Sequence, residues 1–101
     1  MPLDFNQQVE RNLLGRELER QNKIKEAILL YEANVQELFE GNFPYDRLLI
    51  IYRKLGQKED RTRVLKTAIY VFENIVNKNR PDRDVKLNKF KNKLLKLNQT
   101  K

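Results

Sequence analysis

Residues 12–31, NLLGRELERQNKIKEAILLY, decide the fold. Apolar side chains recur every three or four positions in both halves of this stretch, which predicts one apolar face on each of two successive helices. Gly15 and Ala27 are small enough to let these helices approach closely, while Leu18 and Tyr31 fill the space between them. The stretch therefore predicts a packed helix-turn-helix unit.

The same periodicity runs through the rest of the chain and predicts five helices. Asp4 is available as the first N-cap, and Asp82 as the last. Gly41 and Asn42 provide a stop for the second helix, and Gly56 provides one for the third. The predicted helices cover approximately residues 5–22, 24–39, 44–55, 58–76 and 82–98.

Composition agrees with an all-α fold and narrows the classes of function. The chain has 101 residues, three glycines and three prolines, and 35% of its residues are charged, so we expect a single helical domain over residues 1–101. It contains no cysteine and no histidine, which are the usual ligands of zinc, haem and iron-sulfur clusters. Carboxylate-only sites for calcium or magnesium are possible in principle, but no spaced acidic loop indicates one, so we predict no metal and no cofactor. The N-terminus does not resemble a signal peptide and no apolar run is long enough to span a membrane, so the expected location is cytoplasmic.

The net charge of +7 is concentrated in the last 28 residues, which carry nine basic and two acidic side chains. Much of this charge belongs to the fifth predicted helix, which has an apolar stripe and a basic ridge beside it. Each lysine of the ridge directly precedes one residue of the stripe. The ridge consists of Lys86, Lys89, Lys93 and Lys96, and the stripe of Leu87, Phe90, Leu94 and Leu97. This pattern assigns the basic charge to the last helix and not to the rest of the chain.

A shift of 34 residues aligns the chain with itself. It places Leu14 on Leu48, Leu18 on Tyr52, Asn22 on Gly56, Tyr31 on Leu65 and Asn34 on Ala68. A fixed period of this length is typical of helical solenoids. The sequence resembles the tetratricopeptide-repeat family, whose unit has the pattern W-x2-L-G-x2-Y, then A-x3-F, then P. Repeat one, residues 8–41, matches at Leu14, Gly15, Leu18, Ala27 and Tyr31, and repeat two, residues 42–75, at Tyr45, Leu48, Tyr52, Gly56 and Ala68.

The resemblance implies a right-handed solenoid of antiparallel helix pairs whose concave face binds a protein or peptide. The positions that would line this groove are Val9, Asn12, Arg16 and Glu19 from repeat one, and Phe43, Asp46, Ile50 and Arg53 from repeat two. Arginines there would pair with carboxylates of the ligand, and Phe43 and Ile50 would receive an apolar side chain. The alternatives are an ordinary antiparallel bundle, and a helix face that is merely solvated.

Two repeats are few for a solenoid, because each repeat buries its apolar face only against its neighbours. We therefore expect the helix at residues 82–98 to pack over helix four as a cap. Homodimerisation, in which a second copy covers helix four, is the alternative.

The expected function is non-catalytic protein-protein interaction. Catalysis by a positioned nucleophile and base is not expected, because the chain has no serine, cysteine or histidine. The alternative is that the basic ridge binds the phosphate backbone of a nucleic acid, for which Arg83 is the only arginine in the helix that can contact base edges. Binding to a membrane is not expected, because the apolar stripe is short.

Overall fold

The computed structural model describes residues 2–99, which form five α-helices and no β-strand within that range. The helices are α1 (Phe5–Arg20), α2 (Ile24–Gln36), α3 (Phe43–Lys54), α4 (Lys58–Asn74) and α5 (Arg83–Gln99). The predicted all-α fold with about five helices is confirmed. Residues 1, 100 and 101 of the predicted domain lie outside the described residues. Within the described range, no helix has both the length and the apolar character needed to cross a bilayer.

Two of the helix-helix turns have the same geometry 34 residues apart. Asn22 follows α1 with a φ of 60°, and Gly56 follows α3 with a φ of 70°. In each turn the next residue donates its N–H to a carbonyl in the last turn of the helix, Lys23 to Leu18 and Gln57 to Tyr52. This left-handed C-terminal motif favours glycine or asparagine, the two residues found here. These two turns are separated by the period seen in the sequence, whereas a third turn of the same kind, at Leu38, falls outside that period.

The second helix is three residues shorter than predicted. Leu38 has a left-handed φ of 58°, and the N–H of Phe39 closes the turn on the carbonyl of Asn34. The prediction that Gly41 and its neighbour end this helix is therefore wrong. Gly41 has another role, because a Cβ at this position would lie 2.7 Å from the buried ring of Phe39.

Each helix packs against the next one in the chain, from α1 to α5. The first pair is antiparallel, since Arg11 in the first half of α1 donates to Asn34 and Glu37 at the end of α2. The two helices are in close contact at Gly15, where a Cβ would lie 2.6 Å from the ring of Tyr31. This confirms the predicted use of a small residue at Gly15.

The last helix, α5, covers the apolar side of α4. Leu87, Phe90 and Leu97 of its stripe are buried and Leu94 is half-buried. The ring of Phe90 lies 5.5 Å from that of Phe72 in α4 and 6.2 Å from that of Tyr45 in α3. The predicted packing of the fifth helix over helix four is confirmed. Because α5 covers this side of α4, a second copy is not needed there.

Arg83 connects the start of α5 to the end of α4. Its Nε donates to the carbonyl of Phe72 at 2.7 Å and its Nη2 to the carbonyl of Glu73 at 3.0 Å. These carbonyls lie in the last turn of α4, where no helical N–H is available to them. Asp82, the predicted N-cap of α5, precedes the helix, and its carboxylate binds the ammonium group of Lys86 at 2.9 Å.

Candidate binding face

Side chains of α1, α3 and α5 line two depressions, which together we call the basic face. The first, the α1–α3 depression, has a volume of about 550 Å³ and is lined by Arg16, Glu19, Arg20, Phe43 and Arg47. The second, the α3–α5 pocket, has a volume of about 330 Å³ and also includes residues of α4. It is lined by Leu49, Ile50, Arg53, Arg61, Leu65, Lys93, Lys96 and Leu97.

The α1–α3 depression is organised around Glu19. Its carboxylate accepts hydrogen bonds from Arg47 Nε at 3.0 Å and Nη2 at 2.6 Å, and from the Tyr31 hydroxyl at 2.5 Å. Burial alone would raise the pKa of Glu19, but these hydrogen bonds and the charge of Arg47 outweigh it, so the pKa lies below its usual value. Glu19 and Arg47 thus connect α1 to α3, whereas Arg16 is exposed and has no ion-pair partner within residues 2–99.

The α3–α5 pocket combines positive charge with an apolar floor. Its lining holds four cationic side chains and no carboxylate. None of these cations, Arg53, Arg61, Lys93 and Lys96, forms an ion pair in the described part of the chain. The floor consists of Leu49, Ile50, Leu65 and Leu97. Cations beside a low-dielectric surface attract an anion more strongly than cations surrounded by water.

Only some of the predicted groove residues line this face. Val9 is half-buried on α1 and lines neither depression. Asn12 is 5% exposed and accepts a hydrogen bond from Asn34 at 2.7 Å, so it belongs to the interface between α1 and α2 and not to the groove. Asp46 accepts a hydrogen bond from Asn42 at 2.6 Å, while its Oδ1 is buried without a partner. The remaining five, Arg16, Glu19, Phe43, Ile50 and Arg53, line one or other depression.

The predicted basic ridge of α5 divides into two parts. Lys86 is held at the start of α3, where it donates to Asn42 Oδ1 at 2.6 Å, in addition to its ion pair with Asp82. Lys89 is exposed, and Lys93 and Lys96 line the α3–α5 pocket. Part of the basic ridge therefore lies beside Ile50 and Arg53, two of the predicted groove residues, because side chains of α3 and α5 line the same pocket.

The sequence-based prediction missed Arg61 as a residue of this face. It lies on α4, 34 residues after Ala27, so repeat two carries a long cation where repeat one carries a small core residue. This departure from the repeat pattern is the sequence signal that distinguishes Arg61. Arg20 and Arg47 were also missed, because both neighbour the predicted stripe without belonging to it.

Within residues 2–99, no group of three or more histidine, cysteine, aspartate or glutamate side chains is placed to hold a metal ion. The basic face can instead bind anionic groups through its cations and an apolar group through its floor. Comparison with known proteins finds no matching family model, no matching curated protein and no matching solved structure. The chemistry of the basic face is therefore the basis for a functional proposal.

Proposed function

We propose that this chain is a non-catalytic binding module of the tetratricopeptide-repeat kind, with two repeats and a capping helix. It holds a segment of a protein or peptide partner on the basic face. Two observations support the repeat assignment. The helix-helix turns at Asn22 and Gly56 have the same left-handed geometry, and Gly15 makes the close contact with Tyr31 that the repeat pattern requires.

One observation carries the proposal about binding. Ile50 and Arg53 of α3 line the same pocket as Lys93 and Lys96 of α5, so apolar and cationic groups converge on one place. Grooves that bind peptides combine these two kinds of group, since an apolar anchor contributes affinity and charged groups fix its orientation. Catalysis has no comparable support, because the chain has no histidine, cysteine or serine.

Binding of a nucleic-acid backbone is the alternative, and Lys93 and Lys96 favour it because ammonium groups bind phosphates. Two other residues of α5 have structural roles: Arg83 binds the end of α4, and Lys86 binds Asp82 and Asn42. Phe90, the only aromatic residue of the helix, is buried against Phe72 and is not available to stack on a base. These contacts favour a protein partner.

The proposal is tested by capture from an extract of the native host on immobilised protein. We expect the variant with Arg16→Glu and Arg53→Glu to lose specific partners, because each change puts a carboxylate in one depression of the face. The matched control is Lys25→Glu with Lys66→Glu, which makes the same charge change at two exposed positions outside both depressions. Bound proteins are identified by mass spectrometry.

Circular dichroism of both variants shows whether the helices remain intact, so that lost capture is not confused with unfolding. Equal capture by the native protein and the Arg16/Arg53 variant would contradict the proposal. Loss of capture in the control variant as well would show that net charge, and not the basic face, determines binding.

A further inference from the structure

We infer that the α3–α5 pocket binds an acidic peptide segment in which one apolar side chain is flanked by carboxylates. The inference rests on the proposed function and adds the chemistry of the partner. It follows from three features of the pocket: cations that form no ion pair within residues 2–99, an apolar floor and a small volume.

The cations of the pocket differ from most arginines of the chain. Arginines that connect one helix to another have carboxylate partners, as Arg11 has Glu37 and Arg63 has Glu32. Arg53, Arg61, Lys93 and Lys96 have no such partner within residues 2–99. Exposed lysines such as Lys25 and Lys66 also have no ion pair within residues 2–99, but these four cations come from three helices and surround one depression. Carboxylates of a ligand would complete the charge pairs that the chain leaves open.

The apolar floor of the pocket favours an acidic peptide over a simple polyanion as the ligand. Leu49, Leu65 and Leu97 line the pocket but are almost fully buried, so Ile50, which is half-buried, is the most exposed apolar side chain of the floor. A phosphate backbone would contact the four cations and leave this apolar surface uncovered. A peptide whose apolar side chain lies between two acidic residues would cover the floor and reach the cations at the same time.

The size of the pocket agrees with a short segment. Its volume of about 330 Å³ is at the small end of the range for ligand pockets and accommodates side chains, not a folded surface. The ligand is therefore an extended or single-turn peptide segment that inserts one apolar residue.

The test uses the complete chain to select from a random peptide library, followed by affinity measurement with three synthetic peptides. The first has a leucine with glutamates on both sides, the second replaces the leucine with serine, and the third replaces the glutamates with glutamines. A single-stranded oligonucleotide is the fourth probe. We expect selected peptides to be enriched in Asp or Glu beside Leu, Ile or Phe, and the first synthetic peptide to bind at least about tenfold more tightly than the second and third.

A charge-reversal variant and its control test whether the peptide binds in this pocket. Arg53→Glu with Lys93→Glu should weaken binding of the first peptide by at least about tenfold, and added salt should weaken binding to the native protein. The control is again Lys25→Glu with Lys66→Glu, which should leave the affinity unchanged.

The other outcomes overturn the inference in distinguishable ways. Enrichment of neutral or basic peptides, or tight binding that Arg53→Glu with Lys93→Glu leaves unchanged, overturns the inference and leaves the proposed function standing. Binding of the oligonucleotide with no peptide selected overturns both and supports the nucleic-acid alternative. If no probe binds, the pocket has no peptide-binding activity and both proposals fail.

Discussion

Gly15 is a residue at which the first helical pair has no room for a larger side chain. A Cβ at this position would lie 2.6 Å from one carbon of the Tyr31 ring and 2.9 Å from another. The ring cannot easily move away, because Tyr31 is fully buried and its hydroxyl donates to Glu19. We predict that Gly15→Ala lowers the free energy of unfolding by about 1–2 kcal/mol, since overpacking exceeds the gain of about 1 kcal/mol in helix propensity. Urea-induced unfolding measures the change.

A double-mutant cycle with Tyr31→Leu shows whether the tyrosine ring causes this loss. In that background the space beside residue 15 is less crowded, so the effect of Gly15→Ala should shrink or become stabilising. An equal loss in both backgrounds would mean that the close contact with Tyr31 is not the cause.

At the scale of elements, the packing of α5 on α4 depends on the apolar stripe and not on the other leucines of the helix. Leu87 is 6% exposed and Leu95, on the same helix, is 60% exposed. We predict that Leu87→Ala lowers the free energy of unfolding by about 2–4 kcal/mol, because it removes buried apolar surface and leaves a cavity. Leu95→Ala, the matched control, should change it by less than about 0.5 kcal/mol. Chemical denaturation of the two variants gives both values, and similar losses would show that α5 does not dock through this stripe.

The sequence predicts these elements well where a local signal marks the start or the end of a helix. Asp4 forms a capping box with Gln7 at the start of α1, and Gly56 adopts its expected left-handed conformation after α3. The end of α2 could not be predicted in this way. Leu38 adopts a left-handed φ, and residues that have a side chain rarely do so. Tertiary packing explains this, since Phe39 beyond the turn is buried. The side chain of Phe39 is buried only in the folded chain, so the sequence pattern does not indicate it.

The basic face was harder to predict than the elements. Spacing alone places Ile50 with Arg53 on one stripe of α3, and Lys93 with Lys96 on one stripe of α5. It does not indicate how the two helices are rotated about their axes, so it could not show that the stripes meet in one pocket. Asn12 illustrates the same limit, because a polar residue on a predicted groove stripe lies in the interface with α2.

At the scale of the whole molecule, two similar polar clusters join the first helical pair to the second. In one, Glu19 binds the Tyr31 hydroxyl and two nitrogens of Arg47. In the other, Glu32 of α2 binds the hydroxyl of a tyrosine on α3 and two nitrogens of an arginine on α4, which are Tyr52 and Arg63. Paired hydrogen bonds between arginine and carboxylate fix orientation as well as distance. The clusters therefore contribute to the placement of the two helical pairs relative to each other, and so to the shape of the basic face.

The Glu19 cluster makes stability depend on pH. Because the pKa of Glu19 is lower in the folded chain than its ordinary value of 4.5, its contribution is complete above pH 4.5 and is lost as the pH falls through the folded pKa. We predict that Glu19→Gln is less stable than the native protein by about 2 kcal/mol at pH 7, since it removes charged hydrogen bonds. The difference should shrink as the pH falls below 4.5, because the native carboxylate then becomes neutral as well. Urea unfolding of both proteins from neutral to acidic pH measures it.

Glu10→Gln is the matched control for this pH series, because Glu10 is an exposed glutamate on the same helix with no ion-pair partner within residues 2–99. It changes the net charge by the same amount, so the growing repulsion among cations in acid affects both variants alike. Its stability should follow that of the native protein at every pH. If the difference between Glu19→Gln and the native protein stays constant down to low pH, the loss comes from altered packing and not from the charge of Glu19. The placement of α1 against α3 would then not depend on the ion pair with Arg47.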